Sequence, residues 1–178
     1  MFNTRFAVLL GMVLAAAASR LLPHPPNLTP IAAIALFGGA YFADKRAAFL
    51  VPLAAMFLSD LVIGLHRQLP VVYACFAMTV CIGLWLRTRR RLRPIAGGAL
   101  ASSLLFFIVT NFGVWALGSL YPKTMEGLIT CYLAAVPFFR NTLIGDAFYT
   151  AVLFGGFALA ERWFSVLGGT NAAVQRDR

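Results

Sequence analysis

The 178 residues carry 15 Lys and Arg against 6 Asp and Glu, a net charge of +9, while 61% are hydrophobic and only 12% charged. A mean hydropathy of +0.82 excludes a water-soluble monomer, and with it the nucleic-acid partner that a basic balance would otherwise suggest. The expectation is an all-α integral membrane protein, with length for roughly six helices of about 20 residues and no soluble domain beside them.

Helix 1 is read at Met1 to Leu22. Arg5, an apolar run and the small residues Ala15 to Ser19 imitate a cleavable signal peptide. Retaining the segment keeps the basic clusters on one side of the membrane throughout, so it is read as a helix. Gly11, Ala15 and Ser19 fall at every fourth position and give it a small-residue face, suited to close helix packing or to docking a partner. Arg20 to Pro30 holds four prolines, which remove donors and fix φ, so it is a stiff loop. Helix 2, about Ile31 to Ala43, is short; length alone would allow a re-entrant segment, but the following Lys45-Arg46 pair favours a span. Helix 3, about Ala47 to Leu65, carries Asp60 near its end, and His66 to Pro70 is the next loop.

Helix 4, about Val71 to Leu86, contains Tyr73, Cys75 and Cys81 and runs into Arg87-Thr88-Arg89-Arg90-Arg91-Leu92-Arg93. That run reads as a cytoplasmic loop by the positive-inside rule. Helix 5, about Pro94 to Leu117, is rich in glycine and serine in its first half and carries Asn111 and Trp115 further on. A loop at Ser119 to Glu126 follows. Residues 127–139 are apolar, Pro137 and Arg140-Asn141 interrupt, and Thr142 to Phe164 resumes as helix 6. The whole is too long for one span and too short for two, so 127–139 is expected to be a short outer-surface or re-entrant helix. Residues 1–164 thus form a single six-helix transmembrane domain with both termini cytoplasmic, and 165–178 a short cytoplasmic tail. The expected location is a bacterial inner membrane.

Sorting polar residues by side gathers His24, Asn27, His66, Arg67, Tyr121 and Arg140 outside, with Arg20, Asp60, Asn111 and Asp146 just beneath them. An ionisable residue inside a span costs about 2.5–3.5 kcal/mol on insertion scales and usually faces a bundle interior or a cavity. These groups either lock helices together as ion pairs or line a binding site. The three cysteines, Cys75, Cys81 and Cys131, show neither CxxC nor Cys/His spacing, which suggests no disulfide framework and no zinc site. The depth of Cys75 makes it the cysteine best placed to meet a ligand, and its soft sulfur would suit a transition metal within a bound cofactor. Asn27-Leu28-Thr29 matches a glycosylation sequon, but its prolines weigh against use. A phosphate-binding GxxxxGK[ST] loop is absent, as are HExxH and GxSxG, so this chain carries no motif for ATP hydrolysis or for catalysis.

Six helices, the small-residue face Gly11, Ala15, Ser19 and polar groups on loops 1, 3 and 5 together resemble the S component, the substrate-binding membrane subunit of energy-coupling-factor vitamin transporters. The likeness covers the whole chain as architecture. It implies outer-face capture of a vitamin by Cys75, His24, Asn27, Asp60, His66, Arg67, Tyr73, Asn111, Tyr121, Arg140 and Asp146. It also implies docking of Gly11, Ala15 and Ser19 on a transmembrane coupling subunit with its ATPases, or solitary action. Gly and Ser stand where that family's docking face has alanines. The cobalamin-specific BtuM type is the nearest in kind, which implies a cobalt thiolate at Cys75, or alternatively Cys81. Cobalamin would then be the transported ligand and not an intrinsic cofactor. Arg20 to Pro30 with Leu36 to Ala40 also resemble a group of bacterial membrane proteins without assigned chemistry. The other readings are a structural or assembly membrane protein and an intramembrane enzyme.

Overall fold

The computed structural model describes residues 3–168. Among these there is no strand, and the chain forms six helices: α1 (Thr4–Ser19), α2 (Ile31–Tyr41), α3 (Lys45–Ile63), α4 (Leu69–Leu86), α5 (Leu92–Leu117) and α6 (Met125–Trp163). A short 3-10 turn at Ser165–Leu167 follows; Arg176 and Arg178 of the expected tail lie outside the described residues. Among the described residues α3, α4, α5 and α6 are long and apolar enough to cross a membrane. The other two apolar helices are shorter, α1 with 16 residues and α2 with 11. Leu50, Leu58, Val62, Trp85, Leu92 and Leu133 are all more than half exposed. Such an exterior points to a multi-pass membrane protein with lipid as its solvent.

The organising element is α2. All eleven of its residues are buried, as expected of a helix that is apolar on every side. Its small residues let neighbours close in. A Cβ built on Gly39 would lie 2.4 Å from the Val80 carbonyl oxygen, and one on Gly83 2.3 Å from that of Leu36. The α2 and α4 backbones are therefore in direct contact, a packing that small residues permit in membranes. On another side Gly38 receives the ring of Pro52 from α3. Phe37 meets Phe154 and Phe157 of α6 edge-on, at 5.4 and 5.9 Å between centroids.

At 1.5 Å per residue α2 is about 16 Å long, half the hydrocarbon thickness of roughly 30 Å. It starts at Pro30 and ends where Arg87 donates to the carbonyls of Gly39 (3.0 Å), Phe42 (2.5 Å) and Ala43 (3.1 Å). A cation at a helix C-terminus satisfies orphan carbonyls and opposes the dipole. The arginine run thus does more than mark a side, since its first member ties α4 to the end of α2. At the same end Arg90 lies 4.6 Å over the Tyr41 ring, and Arg5 pairs with Glu161 at 2.7 Å.

The separate helix expected at 127–139 does not form. α6 runs unbroken for 39 residues through Pro137, Arg140 and Asn141, with one widened π turn at Ala151–Gly155. Its partners explain the continuity. Tyr132 donates to the Ile108 carbonyl at 2.6 Å and Cys131 Sγ lies 3.5 Å from that of Asn111, which holds the first half against α5. Asn141 donates to the Pro26 carbonyl at 2.9 Å, so it marks contact with the proline loop and no turn. At about 58 Å the helix is roughly twice the hydrocarbon thickness, so it must tilt or project beyond it.

Candidate functional site

Because α2 occupies only half the height of the bundle, the space beyond its first turn is filled by other elements, incompletely. A cavity of ≈ 400 Å³ remains there, at the end opposite the arginines. Its floor is Ile31 and Ala32, and the proline loop contributes Asn27 and Thr29. Asn27 adopts φ 63, a left-handed conformation that asparagine tolerates better than most residues. The loop is pressed against α6: a Cβ on Gly145 would stand 3.1 Å from the Thr29 nitrogen. This close approach sets Asp146, the next residue, at the cavity wall.

Two ionic arrangements meet there. Arg20 reaches over from the end of α1 and pairs with Asp60 at 2.9 Å, with side chains 10% and 4% exposed. The same guanidinium donates to Ser59, and Tyr73 donates to the second Asp60 oxygen at 2.7 Å. That charge is balanced and its hydrogen bonds are largely satisfied. Asp146 is different: it is 3% exposed, lies 2.5 Å from the Ser103 hydroxyl, whose one proton has the Ala99 carbonyl as a second acceptor at 3.1 Å, and has no cationic partner among the described residues.

Four of the remaining polar side chains donate to backbone carbonyls. Asn111 Nδ2 donates to the Phe107 carbonyl at 2.7 Å and Gln68 Nε2 to that of Gly113 at 3.2 Å. A carbonyl only accepts, so the amide nitrogens must face it and the amide oxygens are left over; Gln68 Oε1 is buried without a partner. Thr110 and Thr142 spend their hydroxyl protons on the Phe106 and Phe138 carbonyls. The one buried donor left unmatched at this site is Arg20 Nε. Aromatic faces supply the walls: Phe76 stacks with Phe106, and Phe107 with Phe139 lies 4.6 Å away between centroids.

Of the residues nominated from sequence, Asn27, Asp60, His66, Asn111 and Asp146 border this cavity, with Arg20 beside them. Tyr73 stands behind Asp60. His24 lies in the exposed loop with Nδ1 2.6 Å from the Leu22 carbonyl; Arg67 and Arg140 are exposed, and neither they nor Tyr121 border it. Cys75 is buried yet does not line the cavity, and Cys81 is exposed on the outside of α4. The reason is rotational: Val72 and Phe76, four apart, face the cavity, and Cys75 is turned about 100° from Phe76. In this arrangement neither sulfur is presented to a cobalt ion held in the cavity. Gly11 and Ala15 are exposed with nothing packed on Gly11, whereas Ser19 turns inward, 3.1 Å from the Tyr149 hydroxyl. Sequence reasoning passed over Ser103 and Gln68; two adjacent serines mid-way along an apolar helix were the available signal for the first.

On the arginine side of Asp146 a second space opens, a groove of ≈ 730 Å³ between α5 and α6 with Tyr41, Arg90 and Arg162 at its far end. Ser103 and Thr150 line it as well, and Thr150 Oγ1 is buried with no partner. Asp146 borders both spaces. A family model described as "Family of unknown function (DUF6580)" matches residues 1–167. No match was found among curated proteins or among solved structures.

Proposed function

The chain belongs to the DUF6580 family, whose function is unknown, and we propose that it is a solute-binding subunit of a membrane transporter. The solute enters the cavity beyond α2 and leaves through the groove at the arginine end. One observation supports this most: a single buried carboxylate, Asp146, separates a cavity opening toward one end from a groove opening toward the other. A structural carboxylate in a bundle is expected to have a counter-charge, as Asp60 has in Arg20. Asp146 has none and stands where a path would be gated, and intramembrane ionisable groups of that kind mark substrate pathways.

By the positive-inside rule the arginine end is cytoplasmic and the cavity faces outward, so the direction is uptake. With no phosphate-binding loop in this chain, the energy comes from a partner or from the solute gradient. The exposed Gly11 and Ala15 of α1 offer a coupling subunit a surface on which a second helix can come close. This is the arrangement of an S component for a vitamin-like solute. Within that reading the cavity, near the lower end of the 300–1,000 Å³ range of small-molecule sites, suits a compact solute better than cobalamin. A corrin would require the proline loop to move aside.

Native mass spectrometry of gently purified protein tests the proposal. A co-purified small solute, displaced from protein carrying Thr110→Trp in the cavity wall, is the expected result. An empty protein whose thermal stability ignores a panel of vitamins and small metabolites would remove the basis for it.

A further inference from the structure

Asp146 borders the cavity with no cationic partner among the described residues, and the geometry points to a small organic ammonium ion as its ligand, with Asp146 as the counter-charge. This deepens the solute-binding reading and rests on it. Asp146 is 3% exposed, and the Ser103 hydroxyl 2.5 Å from it also lies 3.1 Å from the Ala99 carbonyl, so a charge on it would be desolvated and unbalanced. A buried carboxylate in that condition stays ionised only if a cation joins it. The neighbouring amides of Asn111 and Gln68 each give one N–H to a backbone carbonyl. The positive group closest at hand, Arg20, is neutralised by Asp60, so an anionic ligand would find no free cation among the described cavity residues. Phe76, Phe106, Phe107 and Phe139 line the same cavity, and aromatic rings attract cations through their quadrupole.

The test uses the full chain in detergent or nanodiscs, with thermal unfolding read by tryptophan fluorescence. The probes are choline, ethanolamine and propylammonium, set against propionate, sodium chloride and the uncharged carbon isostere of choline. Expected is a concentration-dependent rise in Tm for the ammonium compounds, with the isostere at least tenfold weaker. Asp146→Asn keeps an oxygen for the Ser103 hydroxyl while removing the charge, and should abolish the difference between choline and its isostere. The isostere comparison on the unaltered protein stands if that variant does not fold.

Equal response to charged and uncharged isosteres, a preference for propionate, or saturation by sodium alone would each overturn the ammonium assignment. A neutral or anionic solute that still binds leaves the solute-binding reading standing while this one falls. If no solute of any class shifts Tm, both fall together.

Discussion

Substitution of Gly39 by alanine tests whether the bundle is built around a backbone contact. The added Cβ would stand 2.4 Å from the Val80 carbonyl oxygen and 2.8 Å from Gly83 Cα. Close Cα–H···O contacts between helices run at about 3.3–3.6 Å, so α2 and α4 must part by roughly 1 Å. The atoms in the way are backbone, which no rotamer change can clear. Overpacking usually costs about 1–3 kcal/mol, and this site belongs at or above the upper end. At 2–4 °C per kcal/mol for a chain of this size, the fall in Tm is roughly 6–12 °C. Gly11→Ala is the control: nothing lies within 4 Å of its Cβ, and the gain in helix propensity of up to about 1 kcal/mol leaves stability equal or higher. The assay is thermal unfolding in one detergent for both proteins, repeated with Gly83→Ala and with the double variant. Since one separation relieves both clashes, the double variant should lose less than the sum. A Tm for Gly39→Ala within 2 °C of the unaltered protein would refute the contact.

Asp60→Asn leaves the Arg20 charge buried and unpaired and should cost about 3–5 kcal/mol, whereas replacing both partners by apolar residues should cost far less; a double-mutant cycle in thermal unfolding measures it. Arg87→Ala removes the three bonds that close the end of α2 and should destabilise by about 1.5–3 kcal/mol. Arg91→Ala, exposed, should be silent in the same assay. Cys75→Ser should leave ligand-induced stabilisation unchanged and, if cobalamin binds at all, leave its visible spectrum unchanged; a shifted cobalt band in Cys75→Ser would show that the sulfur does reach the ligand.

Much of the site was legible as an inventory of misfits. Arg20, Asp60, Asn111 and Asp146 stand out because each is costly in an apolar helix, and their positions along the chain put them at similar depth. The cost of burying a charge is local enough to read without a structure. Pairing was not legible: either arginine could have met either aspartate, and Arg20 with Asp60 left Asp146 alone only once α3 and α6 were placed. Arg140 and Asn141 looked like a break, yet the loop that Asn141 touches comes from more than a hundred residues earlier in the chain.

The sequence by itself determined the class of solvent, the all-helical architecture and the end at which the basic residues gather, because each follows from transfer costs summed residue by residue. Only the tertiary structure decided that α2 is an enclosed half-length helix, that Cys75 faces away from the cavity, and that Ser103 is the partner of Asp146. In water an apolar stripe tells a helix which way to face. In lipid the exposed and buried faces are both apolar, so hydrophobic periodicity loses its direction. Orientation falls instead to close packing, to Gly39 against Gly83 and Gly38 against Pro52, contacts between residues far apart in the chain.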